Sequence, residues 1–260
     1  MNVSDAMVNT AAVTDATVTV FSQLSSDQQA ALLDDLFTTS TNDGVNFNLL
    51  RHTIASSDLS SDVYTYDDAS SADSSLSKFS LTSAGTDMVN WIKQFAAKSG
   101  QLKLLGSSWS PPGWMKANGV VIGNANNNNL NLDYASSFAQ YFVKYLQAFA
   151  DGGVTVDAVT IQNEPLNSNG GYPTMYVDAT DAANLIQNYV GPALRNASLN
   201  TEIWAYDHNT GKFHTTIVLA NTHIFQKISQ ATLRQSLMVL VPMSAMLHGT
   251  AMRQIMIGVS

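Results

Sequence analysis

The sequence contains no cysteine, few basic residues and no long apolar run, and each shortage argues against a class of protein. Without cysteine among its 260 residues, the chain can form neither a disulfide framework nor a thiol catalytic site. Its 12 Lys and Arg against 20 Asp and Glu give a net charge of −8. That balance argues against a nucleic-acid partner, because phosphate binding needs a basic surface. No apolar run approaches the roughly 20 residues of a membrane helix, so we expect no transmembrane segment.

Only two of the acidic residues are glutamates, Glu164 and Glu202. Glu164 follows a β-branched apolar run in AVTIQNEP (158–165), which has the composition of a buried strand. Catalytic side chains in α/β barrels stand at the carboxyl ends of the strands. We therefore interpret Glu164 as a candidate catalytic residue, the alternative being a glutamate that only caps a helix.

Patterns typical of strands and helices alternate along the chain and favour a parallel α/β barrel. Ser25 and Gln28 form a possible capping box at the start of one helix. An aromatic stripe along 134–150 is interpreted as core and not as a ligand-binding surface. Strands are predicted at 45–54, 102–107, 154–162 and 202–206, with the end of a first strand and a helix entry in 11–21, helices at 25–37, 87–97, 134–150 and 181–194, and loops at 55–75 and 123–131.

Several motifs, in order, resemble the retaining β-glycosidases of glycoside hydrolase family 30. This family includes the acid β-glucosidase (glucosylceramidase) type and the fungal endo-β-1,6-glucanases and galactanases. The resemblance implies a (β/α)8 barrel of the triosephosphate-isomerase type, of which this chain supplies about strands 1–5. The motifs are LLRHTIASSDLSSDVYTYDD (49–68), LLGSSWSPPGWMK (104–116), AVTIQNEP (158–165), GGYPTMY (170–176) and TEIWAYDHN (201–209).

The resemblance implies a role for each matching side chain. Glu164 matches the general acid/base of the family. The other matches are Asn163 for the sugar 2-hydroxyl, Trp109 for the floor of the sugar subsite, Asp58 for sugar hydroxyls, Tyr172 for the rim, Arg51 beside the nucleophile and Trp204 at the end of the fifth strand. Asp58 has a solvated loop acid as its alternative, and Trp114 fits the core and the site equally. The roles of Asp207 and His208 stay open.

No cofactor is predicted, and no metal site, because the five histidines lack the spacing of metal ligands. The resemblance implies a β-glycan or glycolipid substrate, and we expect a monomer. It also implies secretion, although the first residues, MNVSD, lack the basic and apolar regions of a signal peptide.

The last acidic residue of the chain is Asp207. In the family that the motifs resemble, the nucleophile is a glutamate at the end of the seventh strand, and this chain has no acidic residue that far along. Residues 1–211 contain all 20 acids and eight Lys and Arg, whereas 212–260 contain four Lys and Arg, no acid and five of the ten Met. One back-translation of HGTAMRQIMIGVS (248–260), read in another frame, gives WHCYATNYDWSV, which resembles AWHCYA, the family's next strand. We interpret 1–211 as a partial glycoside hydrolase domain and 212–260 as an out-of-frame tail.

These observations predict retaining hydrolysis of O-glycosyl bonds in β-linked glucosides or galactosides. A fungal endo-β-1,6-glucanase or galactanase fits the motifs best, with glucosylceramidase as the alternative and a catalytically dead carbohydrate-binding protein as the rival from another class. Glu202 begins its predicted strand, so ~17 Å of strand separates it from the carboxyl end, at about 3.3 Å per residue. A retaining pair needs about 5–5.5 Å. We therefore expect the 260-residue chain itself to be inactive.

Overall fold

The computed structural model of the protein describes residues 8–38 and 44–208. Five parallel strands form one sheet in chain order, and each connection between neighbouring strands contains helix. Parallel neighbours joined in this way are the repeating unit of a (β/α) barrel. The predicted partial barrel, present through its fifth strand, is therefore confirmed. The strands are β1 Thr10–Val13, β2 Leu49–Ile54, β3 Lys103–Ser108, β4 Ala158–Thr160 and β5 Glu202–Trp204.

The helices occupy the positions that the apolar periodicity predicts, with two differences. One helix begins at Thr82, five residues before the predicted start at 87. The segment predicted as a single helix over 181–194 is divided by a π-helical turn, Ile186–Val190, because Pro192 follows and has no N–H to donate within a helix. The helices are α1 Asp15–Ser22, α2 Ser26–Phe37, α3 Thr82–Ser99, α4 Ala135–Asp151, α5 Ala179–Leu185 and α6 Gly191–Asn196.

Strand β4 is shorter than the predicted 154–162. Its ladder covers only Ala158–Thr160, the residues that pair with β3 on one side and β5 on the other. Beyond them the chain turns at Glu164, whose φ is 42°. The apolar run therefore predicts burial correctly and overestimates the length of regular strand.

Successive side chains of each strand point to opposite faces of the sheet. We call the inner face the side that carries Arg51, Ser107 and Thr160, and the outer face the side that carries His52 and Gly106. The outer face packs against α4, whose aromatic stripe is buried as predicted. Gly106 allows this close approach, since a Cβ there would lie 2.3 Å from the hydroxyl of Tyr145. The buried stripe consists of Phe138, Tyr141, Phe142, Tyr145, Leu146 and Phe149.

Within the described residues, no helix is both long and apolar enough to cross a membrane. The interpretation of 212–260 as an out-of-frame tail falls on residues outside the described ranges and stays a prediction.

Candidate active site

Asp207, which follows β5, is the centre of a hydrogen-bond network at the carboxyl ends of the strands. Its Oδ2 accepts from Arg51 Nη2 at 2.7 Å and Nε at 3.2 Å. The same oxygen accepts from the hydroxyls of Ser107 at 2.7 Å and Thr160 at 2.9 Å. One carboxylate oxygen therefore joins β2, β3, β4 and the segment after β5. The sequence leaves the role of Asp207 open, and the structure shows that it holds Arg51 in place.

The Arg51 guanidinium also connects this network to the predicted acid/base strand end. Its Nη2 donates to Asn163 Oδ1 at 2.7 Å. Its central carbon lies 4.8 Å from the centre of the Trp109 ring, a separation at which a cation and an indole attract each other. One face of Trp109 is therefore covered by Arg51, and the residue is 6 % exposed. Its predicted role as the floor of a sugar subsite stays a prediction.

The backbone of Glu164 adopts a conformation that non-glycine residues rarely take. Its φ of 42° lies in the left-handed region, which for such residues clusters at functional sites. The N–H of Glu164 donates to the carbonyl of Asp207 at 2.8 Å, and its carbonyl accepts from the N–H of Asn167 at 2.8 Å. Tertiary and local contacts thus fix the strained turn that presents the carboxyl group.

The Glu164 carboxylate has a side-chain partner of its own. Asn167 Nδ2 donates to Oε2 at 2.8 Å, and the same amide donates to the hydroxyl of Tyr172 at 3.0 Å. Asn167 therefore places the predicted rim residue next to the predicted acid/base. Asn167 is not among the residues predicted from the sequence. Its position, three residues after the predicted catalytic glutamate, is the sequence feature that could have pointed to it.

Two of the predicted site residues, as the structure describes them, make no side-chain hydrogen bond to this cluster. Asp58 lies in the loop after β2, is exposed, and makes no hydrogen bond to the part of the chain that the structure describes. Trp204 ends β5 as the register partner of Thr160, and its indole N–H donates to the carboxylate of Glu202 at 3.4 Å. Five predicted residues come together, namely Arg51, Trp109, Asn163, Glu164 and Tyr172, and sequence reasoning missed Ser107, Thr160 and Asn167.

The cluster is not of a kind that holds a metal. Within the described ranges, no group of three or more His, Asp or Glu side chains could hold a metal ion. The polar cluster is instead built from one guanidinium, two carboxylic residues and neutral hydroxyls and amides, a set that suits hydrogen bonding to a polyhydroxyl ligand.

The profile of the glycosyl hydrolase family 30 TIM-barrel domain matches residues 8–229, and the chain belongs to this family. The endo-1,6-beta-D-glucanase of Neurospora crassa is 57 % identical over 202 residues, which are 77 % of this chain and 42 % of that protein. The lysosomal acid glucosylceramidase of Mus musculus is 36 % identical over 202 residues, covering 75 % of this chain and 38 % of its own length.

Solved structures agree with the family assignment. An endo-beta1,6-glucanase superposes with a TM-score of 0.73 at 28 % identity, over 84 % of this chain and 50 % of that one. The chain spans less than half the length of the curated relatives it matches. The resemblance predicted from the motifs is confirmed at the level of the family and its fold.

Proposed function

We propose that this domain, as part of a complete barrel, hydrolyses β-1,6-glucan with retention at the anomeric carbon. The main support for this proposal is the position of Glu164 at the carboxyl end of β4. Its side chain is hydrogen-bonded to Asn167, and it lies beside the Arg51–Asp207 pair. This is the end of the barrel at which the fold presents catalytic groups.

Glu164 serves as the acid/base in this proposal. Its protonated carboxyl group donates to the glycosidic oxygen as a second carboxylate attacks the anomeric carbon, and the ionised group then takes a proton from the water that releases the sugar. We assign the sugar 2-hydroxyl to Asn163, whose amide oxygen accepts from Arg51 Nη2 at 2.7 Å. Hydrogen bonds to that hydroxyl strengthen in the transition state.

We assign the attacking role to neither Asp207 nor Glu202, the two carboxylic residues of the described segment around β5. Asp207 Oδ2 already accepts four hydrogen bonds, so we assign this carboxylate to holding Arg51 and not to attack. Glu202 is exposed at the amino end of β5, away from Glu164. The family resemblance implies a glutamate nucleophile on the seventh strand, and the sequence has no glutamate after Glu202. We therefore propose that the 260-residue chain alone does not turn over.

The names of two relatives support the choice of substrate. The 57 % identical protein is named an endo-1,6-beta-D-glucanase, and the solved structure with a TM-score of 0.73 is also named an endo-beta1,6-glucanase. The 36 % identical glucosylceramidase supports the second candidate, a glucosylceramide. Because a polymeric glucan does not cross a membrane, the first candidate includes action outside the cell.

A chimera tests the proposal. Residues 1–208 are joined to the remaining carboxyl-terminal part of the Neurospora relative, and the chimera, its Glu164→Gln variant and the 260-residue chain are assayed on β-1,6-glucan, β-1,6-galactan and glucosylceramide. We expect the chimera to hydrolyse β-1,6-glucan, the variant to lose at least about a hundredfold in kcat/KM, and the 260-residue chain to show no turnover. A folded chimera with no turnover on any of the three substrates contradicts the enzyme assignment, and hydrolysis of glucosylceramide alone selects the second candidate.

A further inference from the structure

The side chain of Lys116 is buried in the loop between β3 and α4 without a counter-charge. The residue is 3 % exposed. Its Nζ donates to the carbonyl of Val121 at 3.1 Å and to the carbonyl of Thr174 at 2.8 Å. The ion pairs between described residues involve other cations, so no carboxylate of these ranges lies within 4.0 Å of the amine. An ammonium group in such surroundings is strongly disfavoured.

The number of acceptors fits an uncharged amine. A neutral lysine amine has two N–H donors, and both are used, whereas an ammonium group has three. Burial lowers the pKa of Lys116 to about 7, and no charged side chain contributes to this shift. The hydrogen-bond geometry and the absence of a described counter-ion therefore point to the same protonation state above neutral pH.

The two carbonyl groups belong to different loops. Val121 lies in the loop between β3 and α4, and Thr174 lies in the loop between β4 and α5. The same two loops meet at an antiparallel bridge between Ile122 and Pro173. They also approach very closely at Gly123, where a Cβ would lie 1.8 Å from the Thr174 hydroxyl. Lys116 thus crosses this junction, as does Asn128, whose Nδ2 donates to the Thr174 hydroxyl at 3.0 Å.

The second loop carries the partners of Glu164. Tyr172 precedes Thr174 by two residues, and its carbonyl accepts from the N–H of Gly123 at 3.0 Å. Its hydroxyl receives the amide of Asn167, which also donates to Glu164. A continuous series of bonded groups therefore leads from the Lys116 amine to the Glu164 carboxylate.

We propose that Lys116, as an uncharged amine, is a positioning residue that locks the loop 165–177 onto the loop 113–123 and so holds Tyr172 and Asn167 beside Glu164. The role of Glu164 as the acid rests on the proposed function. The lock itself does not, since it can be observed without any hydrolysis. Because the pKa of the lysine is about 7 in the closed junction and 10.5 when solvated, opening becomes easier as the pH falls from about 10.5 to about 7, and levels off below that.

The first measurement is a lysine titration of the full 260-residue chain. With ¹³C-labelled lysine, the Lys116 ε-methylene signal is assigned by its loss in Lys116→Met and followed between pH 5 and 11. We expect a midpoint near 7. A midpoint near the ordinary lysine value of about 10.4 overturns the uncharged clamp. The titration is recorded on wild-type protein, and if Lys116→Met does not fold, the loss of the signal in Lys116→Arg gives the assignment.

The second measurement is amide hydrogen exchange over 165–177 at pH 8. We expect Lys116→Met, which keeps the apolar stem but leaves two carbonyls unpaired, to exchange about tenfold faster there. Lys78→Met makes the same substitution at an exposed position and should leave exchange in this loop unchanged. Equal exchange in folded Lys116→Met and Lys78→Met overturns the positioning role. In wild type, lowering the pH to 6 should also raise exchange, once corrected for the intrinsic rate.

Kinetic constants of the active chimera then test whether the contacts of Lys116 affect catalysis. We expect Lys116→Met to lower kcat more than it changes KM, and Lys78→Met to change neither. If the wild-type chimera does not hydrolyse any glycan, the proposed function fails. The titration and exchange results still test whether the uncharged Lys116 amine holds the two loops together.

Discussion

Arg51 and His52 are neighbours in β2, yet they belong to two regions that are stabilised differently, one by hydrogen bonds of charged groups and the other by aromatic packing. Arg51, on the inner face, pairs with Asp207 and Asn163 through charge-assisted hydrogen bonds. His52, on the outer face, stacks on Phe149 with ring centres 5.1 Å apart and has a single hydrogen-bond partner among the described side chains, the Tyr145 hydroxyl, at 2.6 Å. The inner region is ordered by polar complementarity between distant segments, and the outer region by packing along one helix.

The comparison predicts different responses to the loss of one group. Removing a partner on the inner face leaves a charge unpaired, whereas changing the outer face alters volume and packing. The outer region is fully buried, whereas the Arg51 and Asp207 side chains are partly exposed, so water can compensate part of a loss on the inner face only. The following predictions test this contrast in the free energy of unfolding, measured by urea denaturation.

The largest effect is expected for Arg51→Met. The variant leaves the Asp207 carboxylate, whose side chain is 22 % exposed, without its cation. Breaking a fully buried pair costs about 3–5 kcal/mol, and partial exposure reduces this to about 2 to 3 kcal/mol here. As the matched control, Lys98→Met removes a cation from the exposed pair with Asp34 and should cost within about 0.5 kcal/mol.

A double variant distinguishes the unpaired charge from lost packing. Adding Asp207→Asn to Arg51→Met removes the orphaned carboxylate while keeping its shape, and should recover at least about 1 kcal/mol of the loss. If the double variant is instead less stable than Arg51→Met by the full cost of a second deletion, the network is held by independent contacts and the inner region does not differ from the outer one.

The next effect concerns Gly106→Ala on the outer face. The new methyl group would lie 2.3 Å from the Tyr145 hydroxyl and displace it from His52. Overpacking of this kind costs typically about 1–3 kcal/mol, and we expect about 2 kcal/mol. In a Tyr145→Phe background the clashing oxygen is gone, so the cost of Gly106→Ala should fall by at least half. Additive changes would show that the helix does not approach the strand this closely.

A different control glycine separates crowding from backbone strain. Gly100 ends α3 with φ at 65°, and nothing lies within 4 Å of the position that a methyl group would take there. Gly100→Ala should therefore cost only about 1 kcal/mol, from the left-handed conformation alone, and Tyr145→Phe should not change that value.

His52 provides a pH-dependent prediction for the outer face. Burial, and secondarily the charge of Arg51, lowers the pKa of His52 to about 3 from 6.5. Between these values the unfolded chain binds more protons than the folded one, so the stability from this group falls as the pH falls from about 6.5 toward 3. Relative to His52→Gln, wild type should lose about 1.4 kcal/mol between pH 7.5 and pH 5.5. A pH-independent difference would mean that the ring is solvated.

These two regions also mark what the sequence can and cannot predict. The stripe in α4 is a local pattern, since its members recur every three or four residues, and the pattern correctly predicts that the whole stripe is core. The inner network joins residues up to 156 positions apart, as in the contact between Arg51 and Asp207. No periodicity encodes such a pair, so only the family motif points to Arg51, and nothing in the sequence defines the role of Asp207.

Local backbone geometry escapes sequence analysis for a related reason. The composition of 158–165 indicates a strand, but the left-handed conformation of Glu164 depends on the carbonyl of Asp207, which follows the next strand. A residue type other than glycine or asparagine gives no signal for such a turn. Only the structure shows that the predicted catalytic residue sits on a strained backbone.

The smallest effect is expected far from both faces, at the start of α2. Ser25 Oγ accepts from the N–H of Gln28 at 3.4 Å, and Gln28 Oε1 accepts from the N–H of Ser25 at 3.0 Å, which confirms the capping box predicted from the sequence. Both bonds are exposed, so water replaces much of what a substitution removes.

Ser25→Ala should therefore cost about 0.5–1 kcal/mol, and Ser25→Asp, which keeps an acceptor at the amino end of the helix dipole, should cost less. Neither substitution should alter the pH dependence assigned to His52, because the two bonds of the cap join Ser25 and Gln28 only to each other. A loss above about 2 kcal/mol for Ser25→Ala would exceed what an exposed cap contributes. It would mean that α2 is coupled to the sheet more tightly than its half-buried face indicates. The start of α2 would then contribute to the free energy of unfolding as a third region, beside the inner polar network and the outer packed face.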